Sequence, residues 1–282
     1  MRTTRSRRDS PLTIVPPAGD ESPERAAMES DLRVAVEHSQ FTLHYQPLVS
    51  LADGHLVAFE ALLRWESELG PIVPGRFVPV LEEAGLIVSV GTWVLEEACR
   101  QAKEWEREFP RSSRLLIAVN VSSRQLDDPG FAAAVMDVLE DTGMAPTRLC
   151  LEITETATIK DAAAAWAQLR ELKALGVRLS IDDFGTAQSS LSFVKTFQVD
   201  MVKIDRSFVA GIGYNAEDEA IVTAVVQLAH ALGIETVAEG VETAAQLAAL
   251  SRIGCDQGQG YHFNRPGPPG AIADLLRTDE AE

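Results

Sequence analysis

The feature that most constrains the fold of this sequence is a unit that recurs along the chain: a helical segment, a glycine, a short apolar run and then a polar side chain. Gly143, Gly176, Gly233 and Gly254 each follow a helical segment, where glycine readily adopts the left-handed conformation that ends a helix. The runs after them are almost entirely apolar, as is typical of parallel strands covered on both faces. This alternation indicates an α/β protein, either an open doubly wound sheet or a closed barrel.

The number of strands favours the barrel. No glycine-rich phosphate-binding motif follows the first strand, which argues against a dinucleotide-binding sheet. We therefore predict a (β/α)8 TIM-type barrel in residues 26–282, beginning with a helix near 26–38, after a disordered N-terminal tail at 1–25. The eight predicted strands are residues 41–46, 56–63, 115–120, 149–153, 177–182, 200–204, 234–239 and 258–263.

The composition excludes several classes of protein. The 25 Lys and Arg residues against 42 Asp and Glu give a formal net charge of −17, which argues against a polymeric nucleic acid as partner. No apolar run reaches the roughly 18–20 residues of a membrane-spanning helix. Cys99, Cys150 and Cys255 are odd in number and lack metal-binding spacing, which favours buried free thiols in a reducing compartment. We expect a cytoplasmic protein.

Polar side chains stand at the ends of successive predicted strands. In a barrel of this kind the carboxyl ends of the strands share one face, so these side chains are expected to converge on one pocket. For any single acid, a helix N-cap or a solvated loop residue is the more common role, but the complete set at the same strand ends favours a pocket. The residues concerned are Glu60, Asn120, Glu152, Asp182, Asp183, Lys203, Glu239 and Gln259.

Carboxylates gathered so closely require protonation or a neutralising cation. The set contains oxygen donors and neither His nor Cys, which favours Mg²⁺ or Mn²⁺, or Ca²⁺, over Zn²⁺. The adjacent Asp182 and Asp183 suit a pair of ions, and Lys203 is a charge that can orient water or meet a phosphate. The residues alone indicate metal-dependent hydrolysis or transfer at phosphorus. A Mg²⁺-dependent lyase or isomerase barrel acting on an enolate is an alternative, which would need a strand-end acid–base pair poised on carbon.

These residues lie in motifs that resemble those of the EAL family of cyclic di-GMP phosphodiesterases, and the likeness extends over about residues 26–277. A lone Glu-Ala-Leu triplet is uninformative, whereas the ordered set of motifs is specific to the family. The motifs are Tyr45-Gln46-Pro47, Phe59-Glu60-Ala61-Leu62-Leu63-Arg64-Trp65, Asn120-Val121-Ser122, Leu151-Glu152-Ile153-Thr154-Glu155, Asp182-Asp183-Phe184-Gly185-Thr186, Lys203-Ile204-Asp205, Glu239-Gly240-Val241-Glu242 and Gln259-Gly260-Tyr261.

The resemblance implies a barrel whose first strand is antiparallel, and an enzyme that hydrolyses one phosphodiester of cyclic di-GMP to give linear 5′-pGpG. It also implies two ions, Mg²⁺ or Mn²⁺, with Ca²⁺ inhibitory. Expected ligands of the first ion are Glu60, Asn120, Glu152 and Asp182, and those of the second are Asp182, Asp183 and Glu239.

The same resemblance assigns roles to single residues. The expected catalytic residues are Lys203, which is similar to a water-orienting lysine, with Glu239, Glu60 and Asp183; whether Glu239 is chiefly a ligand or a general base stays open. The expected substrate-binding residues are Gln46, Leu63, Arg64 and Asp205. Glu155 is expected to brace the loop after Asp183, and Glu242 and Gln259 are expected to lie at the rim.

One segment departs from the family pattern. After Thr186 the family usually continues Gly-Tyr-Ser-Ser-Leu, whereas this chain has Ala187-Gln188-Ser189-Ser190-Leu191. Because that loop positions the second metal and couples to dimerisation in the family, the departure leaves catalytic strength and a homodimer open. The alternative function is therefore a catalytically weak or inactive cyclic di-GMP receptor with the same fold. A sensor or cyclase partner supplied by another chain also stays open.

Overall fold

The computed structural model describes residues 23–67, 70–154, 162–185, 194 and 198–281, and strands in these ranges close on themselves to form a barrel. The strands are β1 Phe41–Ser50, β2 Leu56–Ser67, β3 Gly70–Ile72, β4 Leu116–Val121, β5 Leu149–Thr154, β6 Arg178–Phe184, β7 Met201–Ile204, β8 Glu235–Ala238 and β9 Gln257–Gly258. The wall runs in the order β1-β2-β4-β5-β6-β7-β8-β9, and β9 pairs back onto β1. The short β3 adds an antiparallel edge to the end of β2.

The first strand runs opposite to the other strands of the wall. β1 is antiparallel to both of its neighbours, β2 and β9, whereas every other pairing between neighbours in the wall is parallel. Phe41, where β1 begins, pairs with Trp65 near the carboxyl end of β2. The predicted (β/α)8 barrel with an antiparallel first strand is confirmed.

All eight predicted strands form, but the prediction for the last strand is wrong over most of its length. The prediction was 258–263, whereas β9 contains only Gln257 and Gly258. The chain then turns, because the backbone of Gly260 lies against Val241 so closely that an added Cβ would meet the Val241 carbonyl oxygen at 2.2 Å. The N–H of Phe263 donates to the carbonyl of Gly260 and closes the turn.

Helices alternate with the strands and cover the barrel. They are α1 Pro23–Glu37, α2 Pro74–Glu83, α3 Ile87–Glu108, α4 Ser123–Leu126, α5 Phe131–Thr142, α6 Ala162–Leu175, α7 Arg206–Val209, α8 Ala216–Ala231, α9 Ala244–Ile253 and α10 Pro269–Ala281. Gly143 and Gly254 end α5 and α9 in the left-handed conformation, with φ of 66° and 90°. Gly176 and Gly233, just after α6 and α8, also have positive φ. The role predicted for these glycines is therefore correct.

Two hydrophobic layers hold the barrel together. Outside the wall, helices pack on the strands; the Trp105 ring of α3, for example, meets Tyr45 edge-on at 4.8 Å and lies 5.3 Å from Phe59. Inside the wall lies a separate apolar cluster, which consists of Leu48, Ala58, Leu116, Ala118, Cys150, Met201 and Val237. This cluster fills the interior toward the amino ends of the parallel strands, and the interior toward their carboxyl ends holds polar side chains instead.

Other sequence predictions concern cysteines, membrane spans and domain limits. Cys99, Cys150 and Cys255 are buried free thiols, as predicted. No helix in the described part of the chain has the length and hydropathy of a membrane span. The predicted tail at 1–25 stays a prediction, because residues 1–22 lie outside the described residues, although α1 already begins at Pro23.

Candidate functional site

Several predicted site residues lie two positions along the chain after a member of the inner apolar cluster. Side chains two residues apart on a strand point to the same face, so five residues of the cluster have a polar neighbour that points into the barrel. The pairs are Ala58 with Glu60, Ala118 with Asn120, Cys150 with Glu152, Met201 with Lys203, and Val237 with Glu239. The polar set therefore forms a layer above the core at the carboxyl ends of the strands.

Lys203 lies at the centre of this layer. Its side chain is 1% exposed, and its Nζ atom contacts four carboxylates. The distances from Nζ are 2.7 Å to Glu239 Oε1, 2.9 Å to Glu152 Oε2, 3.3 Å to Glu60 Oε2 and 3.4 Å to Asp182 Oδ1. Four strands thus place one carboxylate each around a single buried ammonium group.

Burial and this ammonium group set the protonation of the layer. Burial raises the pKa of Glu239 to about 7 and raises that of Glu152 above its ordinary value, although Lys203 opposes both shifts. Burial also disfavours charged Glu60, but Lys203 and hydrogen bonds outweigh it and lower the pKa of Glu60. The pKa of Lys203 is raised, because the surrounding carboxylates outweigh its own burial. Protonation of carboxyl groups and the positive charge of Lys203 therefore both relieve the repulsion between these side chains.

Glu60 accepts hydrogen bonds from two amide side chains, one on β4 and one just after β9. Asn120 Nδ2 donates to Glu60 Oε1 at 2.7 Å, and Gln259 Nε2 donates to Glu60 Oε2 at 2.8 Å. Gln259 Nε2 also donates to Gln46 Oε1 at 3.2 Å, and Gln46 Nε2 donates to the carbonyl of Asn264 at 3.2 Å. This chain of hydrogen bonds fixes the orientation of the Glu60 carboxylate.

Asp182 and Asp183 face the same side of the sheet, although strand alternation alone would separate them. Three steps of β6, from Ile181 to Phe184, match two steps of β7, so the strand carries a bulge at this point. Asp183 has φ of 55°, in the left-handed region that few non-glycine residues adopt and that Asp tolerates better than most. As a result, oxygens of Asp182, Asp183 and Glu239 all lie within 4.8 Å of one another. Burial, Asp182 and Asp205 raise the pKa of Asp183.

The donors in this layer fit divalent cations. Four carboxyl groups contact one ammonium group and Asp183 adds a fifth nearby, so carboxyl groups outnumber cationic groups in the layer. In addition, Glu152 Oε1 is buried without a hydrogen-bond partner among the described residues. A buried carboxylate oxygen without a donor is costly in a protein interior, and a hard cation would satisfy it.

A cavity of about 220 Å³ opens directly above the layer. Its described lining residues are Gln46, Glu60, Arg206, Glu239, Gly240, Glu242, Gln259, Gly260 and Tyr261. A larger groove of about 950 Å³ lies at the opposite end of the barrel, where Leu116 and Gln257 begin their strands. We assign the candidate site to the smaller cavity, because the carboxylates and Lys203 gather beneath it.

Several predicted residues lie at the edge of this arrangement or outside it. The Leu63 side chain packs against the outer core, on the strand face opposite to Glu60. Arg64 is half-buried, and its Nη1 donates to the Leu63 carbonyl at 2.9 Å. Asp205 caps α7 by accepting from the N–H of Ser207 at 3.0 Å. Glu155 and the departure at 187–188 lie outside the described residues.

Sequence reasoning missed four residues that line the cavity: Arg206, Gly240, Gly260 and Tyr261. Each directly follows a predicted site residue, or follows it by two positions. Their place next to a strand end was a signal that could have identified them. The burial of Lys203 left no such signal, because a lysine at a strand end more often extends into solvent.

The fold and the site together define a (β/α)8 barrel protein with an acidic layer suited to divalent cations at the carboxyl ends of its strands. The chain belongs to the EAL domain family, whose model matches residues 29–266.

Similar proteins support this assignment. The chain is 44% identical over 246 residues to MucR of Pseudomonas aeruginosa, a bifunctional diguanylate cyclase/cyclic di-GMP phosphodiesterase, and 46% identical over 268 residues to an uncharacterized signaling protein of Caulobacter vibrioides. These matches cover 87% and 90% of this chain but only 36% and 32% of the two relatives. The chain thus spans about a third of their length.

Solved structures agree with this result. The MucR phosphodiesterase in complex with c-di-GMP matches with a TM-score of 0.82 and 43% identity, covering 87% of this chain and 99% of that one. The EAL enzyme Bd1971, in a form bound to cAMP and cyclic-di-GMP, matches with a TM-score of 0.87 and 30% identity, covering 92% and 70%.

Proposed function

We propose that this chain hydrolyses one phosphodiester of cyclic di-GMP to give linear 5′-pGpG. The observation that carries the proposal is the cluster of Asp182, Asp183 and Glu239 oxygens within 4.8 Å of one another, beside the buried Lys203. The likeness to MucR, whose structure is a complex with c-di-GMP, supports the choice of substrate. The opening above the cluster gives a phosphodiester access to it.

We infer that the layer holds two divalent cations, Mg²⁺ or Mn²⁺. Glu60, Asn120, Glu152 and Asp182 would hold one, and Asp182, Asp183 and Glu239 the other. Such a pair neutralises charge on the attacking and leaving oxygens of a phosphoryl displacement. The unpartnered Oε1 of Glu152 and the excess of carboxylates over cationic groups support this set.

Glu239 is suited to accept a proton from the attacking water. In the protein without cations, burial raises the pKa of Glu239 to about 7, so this carboxylate is more basic than an ordinary glutamate. The water oxygen bonds to phosphorus, its proton passes to Glu239, and the ester oxygen leaves with the bonding electron pair and is protonated by solvent. Lys203, 2.7 Å from Glu239 Oε1, orients this carboxylate and offsets negative charge nearby.

Around the reacting phosphate, the chain offers groups that would position the substrate. Gln46 lines the cavity, and Arg64 lies four residues beyond Glu60 on the same face of β2, where its forked donor would meet a phosphate. Asp205 and Leu63 complete the proposed substrate-binding set, although the Leu63 side chain packs on the outer face of the wall. These four roles stand as proposals that rest on the family resemblance.

The test is an assay of the purified chain with cyclic di-GMP and Mn²⁺. We expect pGpG to appear with Mn²⁺ or Mg²⁺, and to be suppressed by a chelator or by Ca²⁺. Glu60→Ala, purified identically, is the control against a contaminating enzyme, because alanine removes an expected ligand altogether. Turnover by Glu60→Ala above a few per cent of wild type would contradict the ligand set.

The same assay separates the alternatives. Cyclic di-GMP bound with no product formed would identify a receptor with this fold. If cyclic di-GMP neither binds nor yields a product, it is not the ligand of this protein. Another Mg²⁺-dependent barrel reaction is then the alternative.

A further inference from the structure

Arg206 lies at the wall of the cavity but is not one of the expected metal ligands. It is the one cationic side chain among the described residues that line the cavity. It follows Asp205 at the carboxyl end of β7, as the first residue of α7. Arg206 is exposed, and its guanidinium makes no ion pair or hydrogen bond with the part of the chain that the structure describes. It is therefore a forked donor available to a ligand.

A glycine next to Glu239 brings Arg206 to the wall of the cavity. A Cβ built on Gly240 would lie 2.7 Å from the Cβ of Arg206 and 3.5 Å from its Cα, so a side chain at this position would displace the arginine. Gly240 also has φ of +68°, which disfavours other residues. The arginine stem thus crosses directly over the backbone that follows Glu239.

The charges of the other residues that line the cavity indicate a role for Arg206. The other charged residues of the described lining, Glu60, Glu239 and Glu242, are acidic. Cyclic di-GMP carries two phosphates in one ring, and the expected cations would neutralise the surroundings of the phosphate that is cleaved. The second phosphate enters the same acidic cavity and needs a cation of its own. A guanidinium matches two phosphate oxygens with two parallel N–H donors.

We propose that Arg206 binds the phosphate of the cyclic dinucleotide that is not cleaved, and so selects a ligand with two phosphates. This inference rests on the proposed function. It makes Arg206 a substrate-binding residue that acts on affinity, and it leaves the reacting groups beneath the cavity unchanged.

The test compares Arg206→Gln and Arg206→Lys with wild type, and Arg252→Gln serves as the matched control. Arg252 is also exposed, but it lies at the end of α9 and pairs with Glu219, away from the cavity. We expect Arg206→Gln to raise KM about 10- to 100-fold, the loss typical of a hydrogen bond between charged groups, with kcat within about twofold. Arg206→Lys should recover part of the affinity, and Arg252→Gln should match wild type.

Binding of an analogue identifies the group that Arg206 contacts. In Ca²⁺, a cyclic di-GMP analogue with one neutral methylphosphonate linkage should bind wild type more weakly than cyclic di-GMP does. It should bind Arg206→Gln with no further loss, because that variant has no contact left to lose. Equal losses in both proteins would overturn the assignment to phosphate.

The result also separates this inference from the proposed function. An active wild type with an unchanged KM in Arg206→Gln overturns the role of Arg206 and leaves the function intact. If wild type binds without turnover, the dissociation constants of the same variants decide the role of Arg206. If it neither binds nor turns over cyclic di-GMP, both proposals fail.

Discussion

The Nζ atom of Lys203 lies 2.7 Å from Oε1 of Glu239, the shortest of its four contacts with carboxylates. Three strand ends besides that of Glu239 supply the other contacts, so this lysine contacts residues that lie up to 143 positions away from it along the chain. The lysine therefore supports the structure of the layer as well as its proposed chemistry.

Replacing Lys203 with methionine should destabilise the metal-free fold by about 3–5 kcal/mol, because it leaves buried carboxylates without their cation. Urea unfolding in a chelator measures the change. Lys103→Met is the matched control, since Lys103 pairs with Glu106 near the surface and should contribute less than about 1 kcal/mol. Mn²⁺ should stabilise Lys203→Met more than wild type. Equal losses in the two variants would contradict the central role of Lys203.

Metal binding should strengthen as the pH rises from 6 to 8. The metal-free carboxyl of Glu239 has its pKa raised from 4.5 to about 7, so below that pH a cation must displace a proton. Well below pH 7 the apparent affinity should fall about tenfold for each pH unit. Titration calorimetry in buffers of different ionisation enthalpy measures the released proton. In Glu239→Gln, binding should be weaker, and its dependence on pH should be shallower by the one proton that Glu239 releases. Binding to wild type at pH 6.5 with no proton release would count against the prediction.

Gln259→Leu should weaken metal binding about 10- to 100-fold, because it removes the donor that orients Glu60 and also the link to Gln46. Gln257→Leu is the matched control. Gln257 is also buried, but it donates to Glu235 at the opposite end of the barrel. Both variants should lose stability on denaturation, whereas metal affinity should change only in Gln259→Leu. A similar loss of affinity in both would point to general loosening of the fold.

Gly260→Ala should lower the free energy of unfolding by about 1–3 kcal/mol, since the new methyl group would meet the backbone of Val241 at 2.2–2.3 Å. Gly270→Ala provides the comparison, because an added Cβ there meets nothing within 4 Å and the residue lies in α10. That variant should be neutral or slightly stabilised. Thermal unfolding of the two proteins is sufficient, and an unchanged melting temperature in Gly260→Ala would contradict the close approach.

The sequence predicted the order of strands and helices and the rim of polar residues, because both depend on local patterns. Apolar runs ended by Asn120 or Glu152 are visible in the chain itself, and a barrel brings such strand ends together. The two-residue step between Val237 and Glu239 follows from strand geometry alone. The antiparallel direction of the first strand could be predicted only from the resemblance of the motifs to those of the EAL family.

What the sequence left out depends on contacts between distant segments. The short β9 follows from the approach of Gly260 to Val241, and no pattern in the last segment indicates that neighbour. The burial of Lys203 depends on four carboxylates from other strands. The bulge before Phe184, which turns Asp183 toward Glu239, depends on the register with β7. The arrangement of Arg206 over Gly240 likewise requires the folded chain.

The reversal of β1 decides where the chain enters the barrel. In an all-parallel barrel, the chain would enter the first strand at the end opposite to the candidate site. Here the junction at Phe41 lies at the mouth, and the strand that starts there carries Gln46 into the cavity. α1, which ends at Glu37, therefore meets the wall at the end that holds the candidate site, and β1 joins it directly to Gln46.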